Sequence, residues 1–208
     1  MPRENSLPGI CTRCKAEVKK QSVTKHLSTC LTNQARGKVY VHLRVQGYGV
    51  GGDYWMDLAV PPEATLQPLD GFLRETWLEC CGHLSAFRVG RQELPMSTKV
   101  GTIAATGQKL VHEYDFGTTT ELQIAVIGTI AAELPGREKV KMLARNIAPQ
   151  LTCDECEEPA EYICSECIFD DAGVLCRTCA EEHECATPGD GLLPLVNSPR
   201  CGVCGYSG

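Results

Sequence analysis

The sequence predicts an α+β protein: a central β-grasp-like roll, with one main helix on a mixed or antiparallel sheet, flanked by small zinc-binding modules. Three observations point there. Residues 39–45 alternate, with Val39, Val41, Leu43 and Val45 on one face, as in a half-buried strand. Leu66, Leu69, Leu73 and Trp77 recur at the spacing of an amphipathic helix. Most of the 14 cysteines fall in CxxC pairs outside this central stretch. These signals divide the 208 residues into a finger at 1–37, the roll at 38–132, a linker at 133–151 and a cysteine-rich module at 152–208.

In the first module, Cys11 and Cys14 are followed by His26 and Cys30. The last two are four residues apart, on one face of a helix, which suits a single zinc. Val18, Val23 and Leu27 supply a minimal core, and Ser22 is placed to cap the helix. So short a segment cannot bury enough surface to fold alone, and metal binding, worth about 10 kcal/mol or more, makes up the deficit. Arg13, Lys15, Lys19, Lys20 and Lys25 are the candidate nucleic-acid contacts. A solvated charged face is the plainer alternative. Residues 33–37 read as a turn-like linker that makes the finger a hinged arm.

In the roll, the alternating strand leads into glycines 47, 49 and 52, a literal GxGxxG. A dinucleotide site needs a helix next, but DYWMDLAVPP reads as a second strand, so the glycines mark a turn. Thr65 stands where a helix N-cap belongs. LSAFRVG, KLVHEYDFG and ELQIAVIG read as further strands. The expected core is Val41, Leu43, Leu58, Leu69, Leu73, Trp77, Phe87, Leu122 and Ile124. Cys80, Cys81 and His83 sit at a helix end without a second pair nearby and read as packing residues. His42 and His112 lie in strands without a catalytic partner, and Asp115-Phe116-Gly117 reads as a turn because no other kinase motif accompanies it. In the linker, Val140, Leu143 and Ile147 have helical spacing, although a strand is also possible.

The last quarter carries four CxxC pairs: Cys153/Cys156, Cys164/Cys167, Cys176/Cys179 and Cys201/Cys204. The short gaps between the first three favour a cross-brace. Cys153, Cys156, Cys176 and Cys179 then hold one zinc, and Cys164, Cys167, His183 and Cys204 a second, with Cys185 and Cys201 as spare candidates. Sequential pairing is the alternative. Three zinc ions are expected in all. The chain's start shows no signal-peptide pattern, which disfavours disulfides and suggests a cytoplasmic setting. No apolar run reaches the ~20 residues of a membrane span, so no membrane partner is expected.

Charge is unevenly distributed. Residues 1–38 carry eight Lys or Arg against two acids, whereas residues 138–208 carry five against thirteen. Nucleic acid is therefore repelled from the back and attracted, if anywhere, to the front.

VYVHLRV, the run from Tyr54 to Val89 and HEYDFGTTTEL resemble the plasmid pRiA4b ORF-3-like family over residues 38–128. Trp55, Leu69, His83, Leu84, Phe87 and Tyr114 to Gly117 fit the family's positions, while GTTTEL departs from its usual Asp and Trp. The resemblance implies an α+β roll and a mobile-element or nucleic-acid association, with no catalytic residue to carry over. The segment from Asn197 to Tyr206 resembles the ending of a zinc-bearing subset, and the cysteine array looks like B-box cross-brace modules, which serve in protein contacts.

The functional expectation is a non-enzymatic adaptor that touches nucleic acid through its finger and protein through its acidic array. A purely structural or protein-binding module is the alternative. A nuclease-type enzyme is another, but it would have only Asp53, Asp57, His83, His112 and Asp115 to work with, and no motif gathers these residues.

Overall fold

A computed structural model describes residues 6–31, 37–106, 109–185, 187–188 and 191–208. Its centre is the long hairpin of β3 (Lys38–Gly49) and β4 (Gly52–Val60), in which Leu43 faces Leu58 and Val45 faces Met56. The misleading glycines are explained here. Gly49 pairs with Gly52 across the tight turn, where Gly51 has φ 87°. A Cβ on Gly49 would lie 2.7 Å from the Pro199 backbone, so the glycine admits the C-terminal segment against β3.

The hairpin sits within a nine-stranded sheet whose pairings are all antiparallel. Beyond β3 come β8 (Thr120–Ala132), β7 (Leu110–Tyr114), β5 (Ser85–Val89) and β6 (Gln92–Leu94). Beyond β4 come β9 (Lys141–Asn146), β1 (Pro8–Cys11) and β2 (Glu17–Lys19). The linker's helical spacing is thus overridden: β9 fills the gap between β4 and β1, and tertiary pairing outweighs a short periodic pattern.

Each face of the sheet is covered. On one face lie α2 (Leu66–Leu73), which runs on as a π-helical turn over Arg74–Leu78, and α3 (Val100–Thr106). All nine residues of the expected core are buried there. Val39, near the open end of β3, is 55% exposed although it shares their parity. α3 was not foreseen, since seven residues are too few to show a period. It explains why Thr65 makes no side-chain cap: the amides of Leu66 and Gln67 donate instead to the carbonyls of Thr98 and Met96, just before α3.

The other face carries the finger. α1 (Val23–Leu31) buries Val23, Leu27 and Leu31 against Tyr40, Trp55, Ala59, Leu143 and Ala144. Each fully buried leucine contributes about 1.5–3 kcal/mol relative to exposure. β1 pairs with β9, and a Cβ on Gly9 would fall 2.4 Å from the Trp55 ring. The hinged arm read from the sequence is therefore replaced by a finger built into the sheet; residues 33–36 of its supposed linker lie outside the described residues.

The C-terminal module has its own sheet, ordered β11 (Val174–Leu175), β10 (Tyr162–Cys164), β13 (Gly191–Pro194) and β12 (Thr187–Pro188). α4 (Arg177–Glu181) completes it. The following segment binds back to the large sheet: Ser198 Oγ donates to the Trp77 carbonyl at 2.6 Å, and Asn146 Nδ2 donates to Asn197 Oδ1 at 2.7 Å. Among the described residues, no helix is long and apolar enough to cross a membrane.

Candidate metal centres

Two of the CxxC turns share one backbone device. In the first, the Lys15 amide donates to the Cys11 carbonyl at 3.0 Å and Lys15 takes φ 61°. In the second, the Glu157 amide donates to the Cys153 carbonyl at 3.1 Å and Glu157 takes φ 63°. A left-handed residue after the second cysteine folds the chain back, so that amides point at sulfur. The Ala16 amide, foremost, holds the Cys14 thiol down at about 7. At Cys153 burial pushes the pKa up, but the amides of Cys176, Glu155 and Cys156 outweigh it and bring the thiol to about 6. Thiols so prepared ionise readily, and the thiolate is the metal-binding form.

Four groups of donor atoms converge, each within 4.8 Å: Cys11, Cys14, His26 and Cys30; Cys153, Cys156, Cys176 and Cys179; Cys164, Cys167, His183 and Cys185; and Cys80, Cys81, His83 and Cys204. The edge of a tetrahedron with metal–sulfur bonds of ~2.3 Å is ~3.8 Å. Cys156 Sγ lies 3.6 Å from both Cys176 and Cys179, and Cys164 Sγ lies 3.6 Å from Cys185. In the first group Cys14 Sγ is 3.4 Å from His26 Nε2. These separations suit a central cation. Each group could hold a metal ion, so the described residues offer four candidate sites where the sequence suggested three, and each supplies four protein donors.

The cross-brace is visible in the array: the first CxxC pair stands with the third, across β10 and β11. Gly173, at φ 89°, packs against the Cys164/Cys167 site. A Cβ there would come within 2.6 Å of Cys167 Cβ and 3.0 Å of Cys164 Cβ, so the crowded position requires glycine.

The structure corrects one expected ligand. Cys204 does not join Cys164, Cys167 and His183; Cys185 does, with its Sγ 3.2 Å from Cys167. The reason is chain direction: after β13 the segment leaves the array for the large sheet and takes Cys204 with it. There Cys204 meets Cys80, Cys81 and His83, which the sequence reading assigned to packing. A signal was present, because a fourth CxxC had no partner pair. Cys201 is buried beside Ile163 and Leu193, and its sulfur accepts from the Val196 amide at 3.4 Å. It is a packing residue.

Of the polar residues considered for an enzyme, His83 and Asp115 meet, with His83 Nε2 3.5 Å from Asp115 Oδ2, but Asp53, Asp57 and His112 stand apart from them. Asp57 is buried on the finger side, where it pairs with His42 and accepts from Arg44 Nε at 3.1 Å. His112 is buried on the opposite side, its Nε2 2.8 Å from Asp70, whose Oδ1 also accepts from Ser85 Oγ at 2.6 Å. The sheet separates the two pairs. Asp53 pairs with Lys20 at 3.8 Å, while Asp115 accepts from Arg200 Nη2 at 2.7 Å.

Of the basic residues, Arg13 donates to the Cys30 carbonyl at 2.7 Å, and Lys20 is engaged with Asp53. Lys15, Lys19 and Lys25 are exposed on the finger. Across the array Glu155, Glu157, Glu158, Glu166, Glu181 and Glu184 are exposed, as is Phe169.

No protein-family model and no curated protein matches the chain. A solved structure, the protein of unknown function MM3350 from Methanosarcina mazei Go1, is similar over 54% of this chain and 72% of that one, at 14% identity and a TM-score of 0.43. Nothing is carried over from a likeness at that level.

Proposed function

We propose that this protein is a non-enzymatic zinc-binding adaptor, with Lys15, Lys19 and Lys25 contacting nucleic-acid phosphates and the acidic array taking a basic protein segment. The observation that carries this reading is the donor count. Every group offers four thiol or imidazole donors, enough to close a tetrahedral shell and leave no position for substrate, as structural zinc requires. Sulfur-rich sets of this kind favour zinc over harder cations. The separation of basic finger from acidic array supports two distinct partners. The resemblance to the pRiA4b ORF-3-like family supports a mobile-element setting, and the β-grasp-like description of the sheet domain belongs to the same proposal.

A titration of a short DNA duplex at low salt tests the nucleic-acid half. Three lysines neutralising three phosphates give a slope of log affinity against log salt of about −3. The triple variant Lys15→Glu, Lys19→Glu, Lys25→Glu is expected to abolish binding. Equal, negligible binding by both proteins would remove nucleic acid from the proposal and leave a protein-binding module.

A further inference from the structure

The fourth donor group brings together two stretches far apart in the chain, the exit of the π-helical turn and the C-terminal segment. Cys81 and Cys204 are exposed, so burial does not hold their thiols together. They are 123 positions apart, yet Cys81 Sγ stands 3.9 Å from Cys204 Sγ and 3.8 Å from Cys80 Sγ. His83 Nε2 lies 3.3 Å from Cys204 Sγ and 3.0 Å from Cys81 Sγ. These are again the edges of a small tetrahedron. The backbone is bent to produce it: Gly202, Cys204 and Gly205 take φ of 82°, 51° and 69°. A left-handed cysteine is uncommon and persists where its surroundings demand it.

One neighbour distinguishes this group. Arg200 is fully buried, and its Nη1 donates to Thr118 O at 3.1 Å and Thr120 Oγ1 at 2.9 Å. Its Nη2 donates to Asp115 Oδ2 at 2.7 Å and to Cys80 Sγ at 3.6 Å. A guanidinium held from three directions thus orients one of the sulfurs, as partners behind a metal's direct ligands do.

We propose that Cys80, Cys81, His83 and Cys204 bind a fourth zinc ion that clasps the C-terminal segment to the sheet domain, with Arg200 as the positioning residue behind Cys80. The site joins the exit of the π-helical turn to the chain's last turn. It thereby fastens Pro199 and Val203, which line a groove of about 720 Å³ together with Tyr48 and Gln123. Metal occupancy and the shape of that groove are then coupled. The proposal rests on this geometry alone and is independent of any adaptor partner.

The test counts zinc per chain by native mass spectrometry of the 208-residue protein. The unsubstituted chain is expected to carry four ions. Cys204→Ser and His83→Ala, at exposed or half-exposed positions far apart in sequence, should each carry three. Cys201→Ala should keep four, although it removes the other half of the same CxxC pair. A count of three in the unsubstituted chain, an unchanged count in Cys204→Ser and His83→Ala, or loss of one ion in Cys201→Ala would overturn the proposal. For Arg200, a chelator should remove the fourth zinc about 10- to 100-fold faster from Arg200→Met, with the other three unaffected. Arg200→Lys, which keeps a donor, should recover part of that difference. Uniformly faster loss of all four ions would mean that Arg200 supports the fold and does not position the site.

Discussion

The finger and the C-terminal array use the same donor chemistry but stand in opposite relation to the rest of the chain. The finger's apolar residues join an eleven-residue core that also contains Tyr40, Trp55, Leu143 and Ala144, and its single buried cysteine is Cys11. The array meets the sheet domain at one edge, where Val50 of the β3–β4 turn packs against its core around Ile163 and Leu193. One of its two small cores is Cys153, Cys164, Cys176, Leu175, Ala180 and Leu192, so half of that core consists of donor residues. Where the domain supplies the apolar surface, a metal ion would refine a segment already held by packing and strand pairing. Where the cysteines are themselves the core, a metal ion would replace the missing hydrophobic surface. The Cys167 thiol is pushed up to about 12, foremost by its hydrogen bond with Cys185, then by burial and its hydrogen bond with Cys164.

Three experiments sharpen or break that contrast. The largest effect is expected from metal removal. After chelation, hydrogen exchange should show residues 152–185 losing all protection, since about 10 kcal/mol or more of folding free energy leaves with each structural zinc. The amides of β1 should stay protected by their pairing with β9. Simultaneous loss in both regions would show that the finger depends on metal as fully as the array. Next comes Trp55→Ala, which deletes the ring that packs on Gly9 and donates to the Leu7 carbonyl at 2.8 Å. It should cost the sheet domain about 3–5 kcal/mol in denaturant unfolding and leave the array's zinc content unchanged. The smallest effect belongs to Thr24→Ala. Thr24 Oγ1 accepts from Arg44 Nη2 at 3.1 Å, tying α1 to β3. Its loss should cost about 1 kcal/mol and appear as faster exchange in α1 alone; no change there would mean that apolar contact by itself seats the finger.

Much of this organisation was legible beforehand. The alternation of Val41, Leu43 and Val45 and the stripe of Leu69, Leu73 and Trp77 placed one core face correctly, because burial on one side of a strand or helix leaves a period in the sequence. The other face was not legible. Tyr40, His42 and Arg44 alternate just as regularly, but they mix aromatic, titratable and charged residues and so read as a solvent face. Only the finger, folded over them, turns them inward, where Asp57 meets both His42 and Arg44. The choice of strand over helix at β9 and the missing side-chain bond at the Thr65 N-cap were not legible for a related reason: each is decided by a partner distant in the chain.

By itself the sequence determined which candidate donors of the finger gather, that the array's first CxxC pair stands with its third, and the α+β character of the domain between them. Each rests on short-range spacing: a CxxC turn, a histidine four residues before a cysteine, a period of two or of 3.6. Tertiary structure alone decided where the finger docks, which cysteine completes the second array site, and that Cys204 meets Cys80, Cys81 and His83. Those outcomes depend on the path of the chain after β13 and on which sheet face is left to cover, and spacing between neighbours in sequence carries no record of either.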